Sequence, residues 1–225
     1  MSKHTDLVHL GRDPRSQHGV VNLPVYHAST ILYPNIAAFK NRAGGDRKYR
    51  GVRYGAYGTP TTFALADAVA ELEGGAGGVV TSSGLAAVTM ALTAFLNSGD
   101  HLLMVDSVYT PTRDFCDTVL RRLGVETTYY DPLIGEGIAK LIRSATRVVF
   151  TESPGSLTFE VQDIPAIAAA AHQRDALILM DNTWATPLFF KPFEHGVDIS
   201  IQAGTKYLSG GSDLVIGIIT AAKEG

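Results

Sequence analysis

Lys206 occupies an unusual position for a lysine, because it follows the strand-like run 198–203 after only Gly204 and Thr205. Lysine side chains normally face water. In a dry pocket, however, the pKa of the amine falls, and the group becomes a nucleophile and a base. The simpler alternative is a lysine at the rim of a sheet, with its stem on apolar surface and its amine in water.

Asp181 follows the apolar run 176–180, which predicts a carboxyl group that is partly buried at the end of a strand. A buried carboxylate is unfavourable unless it is paired. A protonated pyridine nitrogen is one suitable partner. Backbone N–H groups are the other, and would make Asp181 a structural residue.

Gly84 separates the predicted strand 79–83 from the predicted helix 85–96. A glycine at that point lets the backbone approach an anion, and the first free N–H groups of the helix point towards it. An ordinary capped turn between a strand and a helix is the alternative interpretation.

The anion site, the buried acid and the lysine match the three needs of pyridoxal phosphate (PLP), whose phosphate, ring nitrogen and aldehyde each require a partner. Two nucleotide-binding fingerprints fail. Residues 73–78 do not give G-x-G-x-x-G, because Val80 stands where the third glycine belongs. Residues 204–206 reverse the Gly-Lys-Thr order of a P-loop.

The elements that must position these residues alternate between strand and helix patterns from Thr61 onwards, which predicts a mostly parallel sheet covered on both faces. Thr61 or Thr62 is expected to cap the first long helix. The predicted strands are 79–83, 101–106, 125–130, 147–151, 176–180, 198–203 and 214–220. The further predicted helices are 111–123, 136–143 and 165–174, the last capped by Asp163.

Two segments are expected, with a boundary after residue 60. Residues 1–60 are irregular, rich in glycine, tyrosine and arginine, and predict an arm that contacts a neighbouring subunit. Residues 61–225 predict one large α/β domain. The sequence stops shortly after a strand-like run, which predicts a truncated domain.

Composition excludes several classes of function. A formal net charge of -3 gives no electrostatic case for nucleic acid or an anionic membrane. The apolar run 85–96 is too short for a bilayer span, and the N-terminus has no secretory apolar region. Cys116 cannot form an internal disulfide, which fits a cytoplasmic location. The seven histidines are scattered, so no metal site is expected.

Residues 200–208, Ser-Ile-Gln-Ala-Gly-Thr-Lys-Tyr-Leu, resemble the PLP-lysine signature of the Cys/Met-metabolism (transsulfuration) family of fold-type I PLP enzymes. Residues 131–135 and 155–156 resemble its bacterial cystathionine β-lyase branch in particular. The other matching segments, in chain order, are 23–26, 54–55, 58–59, 72–75, 81–84, 109, 152–156 and 181–184.

The resemblance implies a fold-type I PLP-dependent transferase-like fold and a role for each matching residue. Lys206 would attach the cofactor covalently and act as the catalytic base. Asp181 would pair with the ring nitrogen. Tyr109 would stack on the ring and take part in proton transfer.

The resemblance also implies a phosphate site. The N–H groups of Gly84 and Leu85 and the Thr205 hydroxyl would hold the phosphate, and Tyr54 would reach the phosphate of a neighbouring subunit's cofactor. The family usually has an arginine where this sequence has Ala56. That departure removes a bidentate phosphate contact.

The implied activity is cleavage of cystathionine, a small sulfur amino acid, to homocysteine, pyruvate and ammonia by a homotetramer built as a dimer of dimers. Family members continue into a C-terminal domain that has no counterpart in this sequence. The alternatives are a cystathionine γ-lyase, a γ-synthase, an O-acyl-homoserine sulfhydrylase, or an inactive fragment that acts only in subunit association.

Overall fold

A computed structural model describes residues 3–41 and 51–223, and the chain forms two compact units, Met1–Ala68 and Val69–Gly225. The predicted boundary after residue 60 stays a prediction. Several residues of the predicted arm, among them Arg47, Lys48, Tyr49 and Arg50, lie outside the described residues.

The first unit consists of short helices joined by irregular segments. Its α-helices are α1 (Lys3–His9), α2 (Ile36–Lys40) and the start of α3 (Pro60–Glu73), and its 3₁₀ helices are Pro14–Gln17 and Gly55–Tyr57. The expected cap at Thr61 or Thr62 is wrong, because α3 begins at Pro60 and both threonines lie inside it. The Thr61 hydroxyl instead donates to the Pro24 carbonyl and accepts the Tyr26 N–H, both at 2.9 Å.

The second unit is built on a seven-stranded sheet with the order β1-β7-β6-β5-β4-β2-β3. Six strands run in one direction, and β7 runs antiparallel to both of its neighbours, β1 and β6. The strands are β1 (Gly77–Thr81), β2 (His101–Val105), β3 (Glu126–Tyr130), β4 (Thr146–Glu152), β5 (Leu177–Asp181), β6 (Ile199–Gln202) and β7 (Gly217–Ala221).

Helices cover the sheet, as predicted. They are α4 (Gly84–Phe95), α5 (Thr110–Phe115), α6 (Ile164–His172) and α7 (Thr186–Phe189), with a 3₁₀ helix at Pro192–His195. The predicted cap of α6 is confirmed, because the Asp163 side chain accepts the Ala166 N–H at 3.1 Å. Within the described residues, no helix has the length and apolar character needed to cross a bilayer.

Two predicted helices differ from the structure. The expected helix 111–123 begins as α5 and continues as the π-helical turn Cys116–Leu120. The expected helix 136–143 is the 3₁₀ helix Gly135–Lys140, which two glycines in six residues disfavour as an α-helix.

The core lies on both faces of the parallel strands. All five residues of β2 (His101–Val105) are buried, which is typical of a central strand between two layers. Cys116 belongs to this core, as expected, and burial raises the pKa of its thiol to about 12.

Candidate active site

A cleft of about 780 Å³ opens where the parallel strands end. Ligands of open α/β sheets bind at this edge, because the loops that follow the strands meet there. The cleft brings together six of the seven predicted site residues: Gly84, Leu85, Tyr109, Asp181, Thr205 and Lys206. These segments are up to 122 residues apart in sequence, from Gly84 to Lys206, so the fold itself assembles the site.

The N-terminus of α4 forms one wall of the cleft. Ser83 caps the helix by accepting the Ala86 N–H at 3.0 Å. Among the described residues, none accepts the N–H of Gly84 or Leu85, so both donors remain available to an anion. A Cβ atom at Gly84 would lie 2.5 Å from the Ala203 Cβ atom, so only glycine fits there.

Asp181 ends β5 and contributes its carboxyl group to the cleft. Its Oδ1 atom accepts the Thr183 N–H at 3.0 Å, and the Thr183 hydroxyl in turn accepts the Ala203 N–H at 2.8 Å. Desolvation by the surrounding protein raises the pKa of Asp181. The charged form therefore needs a positive partner.

Glu152 is a second carboxyl group in the cleft, and the sequence-based site did not include it. It ends β4 and accepts the backbone N–H of Tyr109 at 2.8 Å. Burial, and next the negative charge of Asp181, raise the pKa of Glu152 to about 8. The residue was detectable, because it follows the predicted strand 147–151 in the same way as Asp181 follows the predicted strand 176–180.

Lys206 lines the cleft but is exposed, so the expectation of a dry pocket around its amine is wrong for this chain. The residue lies in the turn after β6, where its N–H donates to the Ala203 carbonyl at 3.0 Å. Its backbone is therefore held, while its side chain can reach into the cleft.

The Thr205 hydroxyl already has two partners. It donates to the Ile216 carbonyl at 3.1 Å and accepts the Ile216 N–H at 3.0 Å. A hydroxyl has one hydrogen to donate, so the predicted contact with a phosphate requires this hydroxyl to rotate away from Ile216.

Tyr109 and Tyr54 lie in different units. Tyr109 precedes α5 and is 48% exposed at the cleft, which leaves its ring free to stack on a ligand. Tyr54 belongs to the first unit, where it is 45% exposed and precedes the 3₁₀ helix that contains Ala56. The contact of Tyr54 with a neighbouring subunit's cofactor stays a prediction.

An aromatic cluster at the cleft was not predicted as part of the site. The Trp184 ring packs edge-on against Phe159, with centroids 5.1 Å apart, and lies 5.8 Å from the Tyr207 ring. Trp184 and Tyr207 line the cleft. Three separate loops supply these rings, so sequence spacing could not reveal the cluster.

Comparison with known proteins agrees with this geometry. The family model of the Cys/Met metabolism PLP-dependent enzymes matches residues 4–225. The chain belongs to this family. Its described residues fit the family's cofactor, because the cleft combines free N–H groups for a phosphate, a carboxyl group that needs a cation, and an amine. Across residues 3–41 and 51–223, no three metal-binding side chains come together.

Two curated relatives show how the chain compares with other family members. A Rhizobium johnstonii protein named "Putative cystathionine beta-lyase" is 57% identical over 221 residues, which are 98% of this chain and 54% of that protein. The cystathionine beta-lyase of Escherichia coli is 47% identical over 95% of this chain and 54% of its own length.

A solved structure extends the comparison to another branch of the family. The cystathionine gamma-lyase of Lactobacillus plantarum, in complex with L-serine, superposes with a TM-score of 0.89 at 31% identity. The match covers 99% of this chain and 55% of that one. The chain thus spans about half the length of the curated relatives and this solved structure.

Proposed function

We propose that the complete protein is a PLP-dependent carbon–sulfur β-lyase that cleaves cystathionine to homocysteine, pyruvate and ammonia. One observation carries the proposal: a single cleft contains the Lys206 amine, the Asp181 carboxyl group and the free N–H groups of Gly84 and Leu85. The β-lyase names of the two curated relatives support the choice of substrate over the γ-lyase alternative.

Each residue has a proposed role. The Lys206 amine would hold the cofactor and would accept the proton from the substrate α-carbon. Asp181 pairs with the ring nitrogen, and the cation lowers the pKa that desolvation had raised. The N–H groups of Gly84 and Leu85 bind the phosphate. When bound, PLP supplies an electron sink for the negative charge left at the α-carbon.

The reaction balances without an oxidant or a reductant. The bond between the substrate β-carbon and sulfur breaks, and the electron pair leaves with the sulfur as a thiolate. Lys206 retains the α-proton until a leaving group or product takes it up. Water then releases the remaining three-carbon fragment as pyruvate and ammonia. Tyr109, which lines the cleft and is about half exposed, would stack on the ring and carry a proton.

The assembly and location of the complete protein are also proposals. Tyr54 would bind the phosphate of a partner's cofactor in a homotetramer built as a dimer of dimers. The protein would work in the cytoplasm on a small sulfur amino acid.

The test is product analysis with the complete protein, PLP and cystathionine. Pyruvate and homocysteine support the proposal, whereas 2-oxobutyrate and cysteine identify a γ-lyase. A variant Lys206→Ala should lose both the visible absorbance of bound cofactor and the activity. Retention of that absorbance after the substitution would show that another residue is the anchor.

A further inference from the structure

Glu73 is a fully buried acid that the proposed chemistry does not use. It is the last residue of α3, and its carboxylate accepts hydrogen bonds from four neutral side chains on three segments of the sheet. The donors to Oε1 are Ser200 at 2.7 Å, Gln202 at 3.0 Å and Asn182 at 3.4 Å, and the donor to Oε2 is the Thr220 hydroxyl.

These donors belong to β6, β7 and the residue that follows β5. Ser200 and Thr220 are register partners, so their side chains project from the same face of the sheet. Gln202, two residues beyond Ser200, shares that face. Asn182 directly follows Asp181, and its N–H donates to the Ile201 carbonyl at 2.8 Å.

The side chains of Asp181 and Ala203 lie on the other face of the sheet. Asp181 is the register partner of Ile201, and Ala203, two residues beyond Ile201, lines the cleft with it. Side chains alternate along a strand, so the donors to Glu73 lie on the opposite face of the sheet, behind the cleft. Asn182 is one residue away from Asp181, and Gln202 is four residues before Lys206.

We propose that Glu73 is a positioning residue of the site: its carboxylate ties the ends of β5 and β6 together from behind and so fixes Asp181 and Lys206 relative to one another. The proposal rests on the proposed function, in which both residues contact the same cofactor. Thr183 provides the matching tie on the cleft side, through Asp181 and the Ala203 N–H.

The choice of an acid at position 73 supports this role over simple packing. A carboxylate is an acceptor at both oxygens, and here every described partner is a donor. For stability alone, apolar side chains of similar volume commonly replace buried ionic and polar groups without loss. A fully connected polar network instead fixes one arrangement of the strands.

The first experiment compares Glu73→Gln with Val69→Ala in the complete protein. Glutamine keeps the size of the side chain but turns an NH₂ group towards donors. Val69, on the same helix, is 2% exposed and takes no part in the network, so its truncation loosens the core alone. A third variant, Glu71→Gln, changes an exposed acid on the same helix.

PLP affinity is measured from the absorbance of the bound cofactor, and stability from urea denaturation. We expect Glu73→Gln to weaken PLP binding at least tenfold, and Val69→Ala and Glu71→Gln to stay within twofold of the unchanged protein. If PLP affinity falls in proportion to stability in both Glu73→Gln and Val69→Ala, or does not fall in Glu73→Gln, the positioning role is wrong.

A second readout does not depend on the cofactor. Hydrogen exchange without PLP should be at least tenfold faster at the Asn182 and Ala203 amides of Glu73→Gln, and unchanged there in Val69→Ala. Equal exchange in the two variants would overturn the proposal even if PLP binds. Failure of the unchanged protein to bind PLP would instead refute the proposed function, and the exchange rates would still decide the role of Glu73.

Discussion

Glu152 and Asp181 are register partners on the adjacent parallel strands β4 and β5, and both carboxyl groups lie in the same cleft. Burial raises the pKa of Asp181. Burial, and next the negative charge of Asp181, raise the pKa of Glu152. A bound cation would relieve this repulsion. The two carboxyl groups therefore make the free energy of unfolding depend on pH. A bound pyridinium group should suppress this dependence.

The first prediction concerns Glu152→Gln. Burial raises the pKa of Glu152 from 4.5 to about 8, so between these values the folded chain binds more protons than the unfolded chain. Its free energy of unfolding should therefore fall as the pH rises from about 4.5 through about 8. Over this pH range the free energy of unfolding of the variant should fall by about 1–3 kcal/mol less than that of the unchanged protein. Urea denaturation at pH 5, 7 and 9, without PLP, measures the difference.

Glu136→Gln is the matched control for this measurement, because Glu136 is exposed. Its pH profile should follow that of the unchanged protein. Parallel profiles for Glu152→Gln and the unchanged protein would show that the Glu152 carboxyl group ionises normally in the fold.

The second prediction concerns the contact between α4 and the turn after β6. The Cβ atom of Gly84→Ala would lie 2.5 Å from the Ala203 Cβ atom and 3.0 Å from its Cα atom. Overpacking of this kind costs about 1–3 kcal/mol. It should also displace the N–H groups that face the cleft, so PLP affinity should fall more than stability does.

Two further variants test this explanation. Gly137→Ala adds a methyl group whose nearest neighbour is 3.2 Å away, and it should leave PLP affinity unchanged. Combining Gly84→Ala with Ala203→Gly removes the closer of the two clashes and should restore part of the affinity. If the double variant binds PLP no better than Gly84→Ala, the clash with Ala203 is not the cause.

The third prediction concerns His101 at the opposite ends of the strands. The side chain is buried, with Nδ1 2.7 Å from the Thr146 hydroxyl and Nε2 2.9 Å from the Thr128 hydroxyl. Burial, and next the positive charge of Arg143, lower the pKa of His101 below its usual 6.5. On acidification below about 6.5 the unfolded chain binds this proton first, so stability should fall.

His101→Gln should be less stable at pH 7.5 by about 1–2 kcal/mol, since it breaks a buried hydrogen-bonded network. Its stability should nevertheless change less between pH 7.5 and 5 than that of the unchanged protein. Urea denaturation at the two pH values measures this, with His4→Gln at an exposed position as the control. An identical pH slope in His101→Gln would assign the acid sensitivity to other groups.

The position of the site could be predicted from the sequence for a physical reason. Gly84, Asp181 and Lys206 each follow a strand, and the carboxyl ends of parallel strands meet at one edge of a sheet. Glu152 obeys the same rule and was detectable. The exposure of Lys206 was not, because burial in a turn depends on which distant segments cover it.

The direction of β7 also could not be read from the sequence. An apolar run predicts a strand but carries no information about whether its neighbours run parallel or antiparallel to it. The Glu73 network was hidden for a related reason. Its four donors lie 109 to 147 residues from the acid along the chain, and no local pattern joins them.

The antiparallel strand β7 (Gly217–Ala221) determines when β1 can join the sheet during synthesis of the chain. Among the described strands, β1 pairs with β7 alone, and β7 also pairs with β6. The segment that leads into the N–H groups of α4 therefore joins the sheet only after the last described strand has been synthesised. A nascent chain that ends before residue 217 would contain Asp181 and Lys206 together with the paired strands β2 to β6, while β1 would still lack β7, the strand with which it pairs.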